Sequence, residues 1–387
     1  MKSKNIQIYG IVLQALYWMT FCSVFSYAVM FLETKGFSSV YSGALMASAS
    51  MVAAVIQPLM GSWADQGHPK RLRGLIFSIV SIAIMSNLLI QFRGDLNNVI
   101  LISYVLSLIS IVSLQPLMSA LMFNASTDES TINFGMARAF GSLAFAGASS
   151  SIGYFISLTS IDILPKISLG MLIALAMVVY TFPVKSVDKK GGHNRDEQEE
   201  RKSPFFKRYP RFKYLLTGMM FIFVLHSMLN VFMIYIVKSV GGSEKDFGLA
   251  LMMMAAIEIP VMLYSSKLIQ RFSIEKLFAI SIFFYIVRGT MFVMATSMTG
   301  IYIAQLTQAI SFALYIPVSV AYINLKIHAN DRVKGQTLIV SATTLGNVAG
   351  SMIGGTLIDS FGVAAMLMTG LISVIIGFVF VMIGLKK

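Results

Sequence analysis

Twelve long, mainly apolar stretches separated by short polar breaks account for almost the whole chain. They fall near residues 8–32, 38–62, 72–92, 98–122, 134–158 and 162–184, and again near 213–238, 246–267, 276–297, 299–325, 334–357 and 362–385. A helix needs roughly 20 apolar residues to cross the hydrocarbon of a bilayer. Within lipid only a helix or a closed barrel satisfies its own backbone. Each stretch is therefore predicted to be a membrane-spanning helix. The first follows Lys2 and Lys4. It is too long for a signal-peptide core and lacks a small-residue cleavage pattern, so it reads as a retained helix.

Between the two sets of six lies one long polar segment, 185–212, containing GGHNRDEQEERK with charges of both signs. Such a composition predicts a flexible linker, with His193 solvated. The organisation expected is an N-terminal six-helix bundle at 1–184, the linker at 185–212, and a C-terminal bundle at 213–387. The two sets look related. Asp65 and Gln270 end corresponding helices, as do Arg71 and Lys276 just beyond; Ile152-Gly153 and Ile353-Gly354 sit mid-helix at a similar offset. A repeat near 200 residues across a linker fits two homologous halves.

Basic residues then set the orientation. With the N-terminus in the cytoplasm, 23 of the 30 Lys and Arg fall in cytoplasmic segments, five fall outside, and Arg138 and Arg288 lie within helices. This bias predicts both termini inside and a multi-pass protein of the inner, cytoplasmic membrane. The same pattern accounts for the net charge of +13 without nucleic acid, since no basic stripe interleaves with aromatics. Charged residues are only 12% of the chain and hydrophobic ones 56%, about half the charge a soluble domain carries. The single cysteine, Cys22, excludes a disulfide framework. Four scattered histidines give no zinc site, no G-x-x-x-x-G-K-[ST] run suggests ATP drive, and no cofactor is expected.

The loop after the second helix reads GSWADQGHPKRL from Gly61. It resembles the signature G-x-x-x-D-(R)-x-G-(R)-(K) of the major facilitator superfamily. Gly61, Asp65 and Lys70 match; His68 replaces the glycine and Pro69 the next basic residue. The stretch FGMARAFGSLAFA from Phe134, and the run from Asn330 to Gly362, are similar to the lactose-permease-like branch of oligosaccharide and nucleoside proton symporters. His226 and the Glu258-Ile259-Pro260 run are similar too. The resemblance implies two pseudo-symmetric six-helix bundles, proton-coupled transport, and an arginine matching Arg138 that contacts substrate. The branch's acidic residue on helix 4 has no counterpart here, its place being Ser119 or Ala120. Phe312 and Tyr315 stand where lactose permease has histidine and glutamate. These departures fall on galactoside recognition and on the exact proton relay. The G-P-x-x-G-G pattern of drug/proton antiporters is absent from helix 5.

An ionisable group near mid-bilayer costs about 2.5–3.5 kcal/mol on insertion scales and is a functional candidate by default. Glu258, Arg288 and His226 each lie about 12 or 13 residues into their helices, hence close to the midplane. Two accounts fit them: a substrate and proton site, or a buried Glu258–Arg288 pair locking two helices with His226 nearby. On the first account Glu258 is the proton carrier, exchanging Arg288 for water or substrate, with His226 as rival carrier. Arg138 lies near the cytoplasmic end of its helix, where it could equally snorkel to the membrane surface.

Uncharged candidates for substrate contact are Gln14, Tyr17 and Trp18 on helix 1, Asn230 on helix 7, Gln308 on helix 10 and Asn347 on helix 11; interhelical hydrogen bonding is the alternative for each. Asp65, with Lys70 and Arg71, is a candidate gate, its charge suited to the N-terminal end of helix 11; plain loop charge is the alternative.

The sequence thus predicts an all-α membrane protein of twelve transmembrane helices in two bundles. Its expected activity is proton-coupled symport of a small polar organic solute (sugar, oligosaccharide or nucleoside) by a monomer whose partners are substrate, proton and lipid. A drug/proton antiporter, a non-transporting receptor and an intramembrane enzyme are the other classes considered; no nucleophile–base motif supports the last.

Overall fold

A computed structural model of the chain describes residues 3–65, 69–93, 97–125, 132–183, 205–328 and 331–386, excepting the side chains of 3–5, 58, 59, 61–65, 69, 70, 93, 97, 123, 124 and 333. The described residues are almost all helical, with no strand among them. The first six membrane helices are α1 Ile6–Thr34, α2 Ser39–Asp65, α3 Pro69–Arg93, α4 Asn97–Ala125, α5 Phe134–Leu158 and α6 Leu164–Thr181. The next four are α7 Phe212–Val231, α8 Glu244–Arg271, α9 Ile274–Met294 and α10 Met298–Lys326. A last helical stretch, Arg332–Leu385, is broken at Gly362 (φ 81). This left-handed conformation costs glycine little, and it turns the chain between α11 (332–361) and α12 (363–385).

Caps mark the ends that face water. The Asn133 side chain accepts from Met136 N–H at the start of α5, and Ser243 forms a reciprocal capping box with Asp246 at the start of α8. Large apolar side chains such as Phe92, Tyr180 and Phe361 stand exposed around the outside, as a lipid-facing surface requires. Proline interrupts α4 at Pro116, α8 at Pro260 and α10 at Pro317. Each removes a backbone donor from its helix.

Three spans that read as continuous in sequence are not uniform helices. The α1 backbone widens at Cys22–Ser26, α7 breaks at Phe232 before a short helix Met233–Ser239, and α10 tightens into a 3-10 turn at Thr307–Ala309 and is interrupted through Ser311. Toward the C-terminal half, Phe205–Arg208 forms one helical turn with Phe205 buried. That turn is braced by Arg208, which forms a bidentate pair with Asp331.

The two six-helix halves meet along two seams, α5 against α8 and α2 against α11. Both seams are tightest on the side away from the chain termini. There the backbones of Gly153 and Gly248 approach so closely that a Cβ on Gly153 would lie 2.7 Å from the Glu244 carbonyl, which is why glycine occupies both positions. The Tyr27 hydroxyl donates to the Ser149 carbonyl at 2.6 Å, and the Tyr27 ring meets Phe247 edge-on across the halves. Asp359, at the end of α11, accepts hydrogen bonds from Ser39 N–H (3.2 Å), Val40 N–H (3.1 Å) and the Ser39 hydroxyl, capping the start of α2. Lys238 pairs with Glu33 at 2.9 Å beside them. On the side of the termini, no ion pair joins the halves among the described residues.

Candidate functional site: a central cavity between the halves

Closure on one side leaves a cavity of about 350 Å³ between the halves, lined by α1, α2, α4 and α5 from one and α7, α8, α10 and α11 from the other. Trp18, Arg138, His226, Asn230, Glu258, Gln308 and Asn347 all line it. A second space of about 330 Å³ adjoins it; Trp18, Gln115, Arg138 and Ile316 line both, and Gln14, Ser119, Phe134 and Ser265 line the second alone. Phe134 opens α5 next to the break before it, so this second space lies toward the side of the termini.

Arg138 stands barely one turn into α5, yet its side chain turns inward. Its guanidinium carbon sits 4.0 Å from the centre of a Trp18 ring, and Nη1 donates to Ser142 Oγ at 2.6 Å. A cation held over an aromatic face in a desolvated place gains up to about 2 kcal/mol. Trp18 is itself anchored, its Nε1–H donating to Gln14 Oε1 at 3.0 Å, and Gly141 leaves room for the indole. Tyr17 does not reach the cavity: it is 1% exposed and its hydroxyl donates to the Ile111 carbonyl on α4.

Across the cavity Glu258 is 6% exposed, in the middle of α8 and two residues before Pro260. Its Oε1 accepts from Gln308 Nε2 at 2.8 Å. Gln308 sits in the 3-10 turn of α10, so the change of winding there aims its amide at the carboxylate. Arg138 and Arg288 both act electrostatically on Glu258, but neither forms an ion pair with it. His226 lies flat against Phe312, ring centres 4.5 Å apart, and its Nδ1 has no hydrogen-bond partner among the described residues. Asn230 donates to the His226 carbonyl one turn back at 2.7 Å, and the Asn347 carbonyl accepts from Ser227 at 2.8 Å.

Arg288 stands behind this surface. It is fully buried, does not line the cavity, and donates from Nη2 to Gln305 Oε1 at 3.0 Å, while Nε and Nη1 have no hydrogen-bond partner among the described residues. The helix-locking Glu258–Arg288 pair, the second of the two accounts, is therefore not made in this conformation; both side chains are held by glutamines of α10 instead. Of the gate candidates, the side chains of Asp65 and Lys70 lie outside the described residues, and Arg71 is exposed at the start of α3.

Further lining residues carried little signal in sequence. Gln115, before Pro116 in an otherwise apolar stretch of α4, was visible as a mid-helix amide. Phe21, Phe25, Phe145 and Phe223, which build the aromatic wall, are indistinguishable in sequence from lipid-facing phenylalanines.

Two helical halves around a central cavity with a few convergent polar groups define a membrane transporter of the major facilitator type, not an enzyme. The chain belongs to the family described as the MFS_1 like family, which it matches over residues 11–379. It is 22% identical to a maltose permease of Geobacillus stearothermophilus over 378 residues, covering 96% of this chain and 93% of that protein. Its fold is similar to that of the nucleoside transporter NupG, with TM-score 0.78, 15% identity, and 99% and 100% of the two chains covered. It is similar also to a bacterial homologue of the iron transporter ferroportin in an inward-facing state, with TM-score 0.76, 13% identity and both chains covered in full.

Proposed function

We propose that this protein is a proton-coupled symporter of a small polar organic solute, in the class of sugars, oligosaccharides or nucleosides, working by alternating access. The observation that carries the reading is Glu258: a carboxylate in the apolar middle of a bundle, at the wall of a cavity between two halves, whose hydrogen-bond partner among the described residues is a neutral amide. A carboxyl in such a place can take a proton from one side and release it to the other as the halves rock. Trp18, Arg138, Asn230, Gln308 and Asn347 supply a flat aromatic face, a cation and amides for a polar ligand. His226 and Arg288 tune the surroundings of Glu258, and Tyr17 acts by positioning Trp18. The maltose permease and nucleoside transporter similarities favour the same solute classes.

The halves at 1–184 and 213–387 act as the rocking units, joined by the segment 185–212. The charge bias favours cytoplasmic termini in an inner membrane, so that the conformation described, closed away from the termini, is inward-facing. Asp65, Lys70 and Arg71 then stand where the inner side would close. A monomer suffices, because the cavity is complete within one chain. Uptake into proteoliposomes tests the proposal. Wild type should accumulate solute under an imposed proton gradient, whereas Glu258→Gln should retain exchange and lose accumulation. Accumulation by Glu258→Gln equal to wild type would refute Glu258 as the proton carrier.

A further inference from the structure

The charges around the cavity do not balance. Among the described residues that line the cavity Glu258 is the only carboxylate, and two guanidinium groups, those of Arg138 and Arg288, belong to its surroundings. Arg138 has no carboxylate within ion-pair distance among the described residues; its contacts are a tryptophan face and a serine hydroxyl. On α4 the residues beside it are Gln115 and Ser119, both neutral. Arg288 is held by a neutral glutamine. The set therefore carries one net positive charge with Glu258 ionised, and two when Glu258 holds a proton.

This count bears on what enters with the proton. A neutral solute accompanied by a proton on Glu258 leaves two uncompensated cations in the low-dielectric centre of the bundle. A monoanion accompanied by the same proton leaves the net charge where it began. Uncompensated buried charge is costly, so the second exchange is favoured. Arg138 is also the cation placed to receive an anion, because it lines both connected spaces whereas Arg288 lines neither. A guanidinium held by its face over an indole keeps in-plane donors for a carboxylate, which it can meet with two parallel bonds.

We infer that the substrate of this cavity is an organic monoanion: a ring-bearing polar body with one carboxylate, the acid group docking on Arg138 and the ring against the aromatic wall of Trp18, Phe145, Phe312 and His226. This rests on the transporter reading and narrows its solute class. The two connected spaces have room for a body of sugar or nucleoside size.

Matched pairs test it: glucose against glucuronate, and uridine against its 5′-carboxylic acid. Binding is read from Trp18 fluorescence in a Trp63→Phe background, since the chain has only these two tryptophans. In the purified protein the anion of at least one pair should bind about tenfold tighter than its neutral partner, as a charge-assisted bidentate contact warrants. Arg138→Gln should erase that preference, bringing the two members of a pair to equal affinity, and Arg138→Lys should restore part of it. The inference is overturned if no anion binds, if the neutral members bind as tightly, or if Arg138→Gln keeps the preference. The transporter reading fails separately, if solutes that bind are never exchanged across proteoliposome membranes.

Discussion

Replacing Asp359 by Asn isolates what holds the halves together on the side away from the termini. The aspartate carboxylate joins the end of α11 to the first turn of α2 through two backbone N–H groups and one hydroxyl. Asn keeps one acceptor oxygen, loses the charge, and presents an NH₂ to a backbone N–H. A side-chain cap contributes about 0.5–2 kcal/mol, and a carboxylate at a helix N-terminus about 0.3–1 kcal/mol more when exposed. Asp359 is in contact with water, so the lower part of that range applies, giving a loss of about 1 kcal/mol. That corresponds to about a fivefold shift of the conformational equilibrium toward opening on this side. The neighbouring Lys238–Glu33 pair, 40% and 28% exposed, contributes less, and Lys238→Gln should shift the equilibrium by about twofold at most. Spin labels at Tyr41→Cys and Phe361→Cys, both exposed, in a Cys22→Ser background would report the populations as distance distributions. If Asp359→Asn left the distribution unchanged, or moved it less than Lys238→Gln does, the cap would not be what latches the seam.

Three further outcomes follow from the packing. Trp18→Leu removes the face on which Arg138 rests, worth about 1–2 kcal/mol, and should weaken ligand binding about fivefold to thirtyfold in titration calorimetry; an unchanged Kd would mean that Ser142 alone positions the arginine. Arg288→Met exchanges a buried cation with two unpartnered donor nitrogens for an apolar chain of similar length. Thermal unfolding in detergent should show stability unchanged or raised, and a loss beyond about 2 kcal/mol would reveal a carboxylate partner in the ensemble. Gly248→Val would bring a side chain within 2.6 Å of the Ser149 carbonyl, overpacking the α5–α8 seam by about 1–3 kcal/mol. Maleimide labelling of a cysteine at Phe247, which is 1% exposed in that seam, should then rise, and labelling as slow as in the parent protein would show that the seam can yield.

The sequence by itself determined the twelve spans, because a backbone in lipid must satisfy its hydrogen bonds within each segment, and roughly 20 apolar residues suffice to declare one. It also determined the depth of Glu258, His226 and Arg288, since depth is a count of residues along a helix. It did not determine which way each side chain faces. Helices apolar on every side carry no periodicity that distinguishes cavity from lipid, so nothing in the sequence separated Glu258, which faces the cavity, from Arg288 behind it, or Trp18 from Tyr17 beside it. Nor did it show the breaks at Phe232 and Thr307–Ser311, where no proline or glycine marks the chain. The inward turn of Arg138 and the cap between Ser39 and Asp359, 320 residues apart, exist only once two halves pack and pockets form between them. Those contacts are decided by tertiary packing because each joins residues whose local sequences carry no trace of the other.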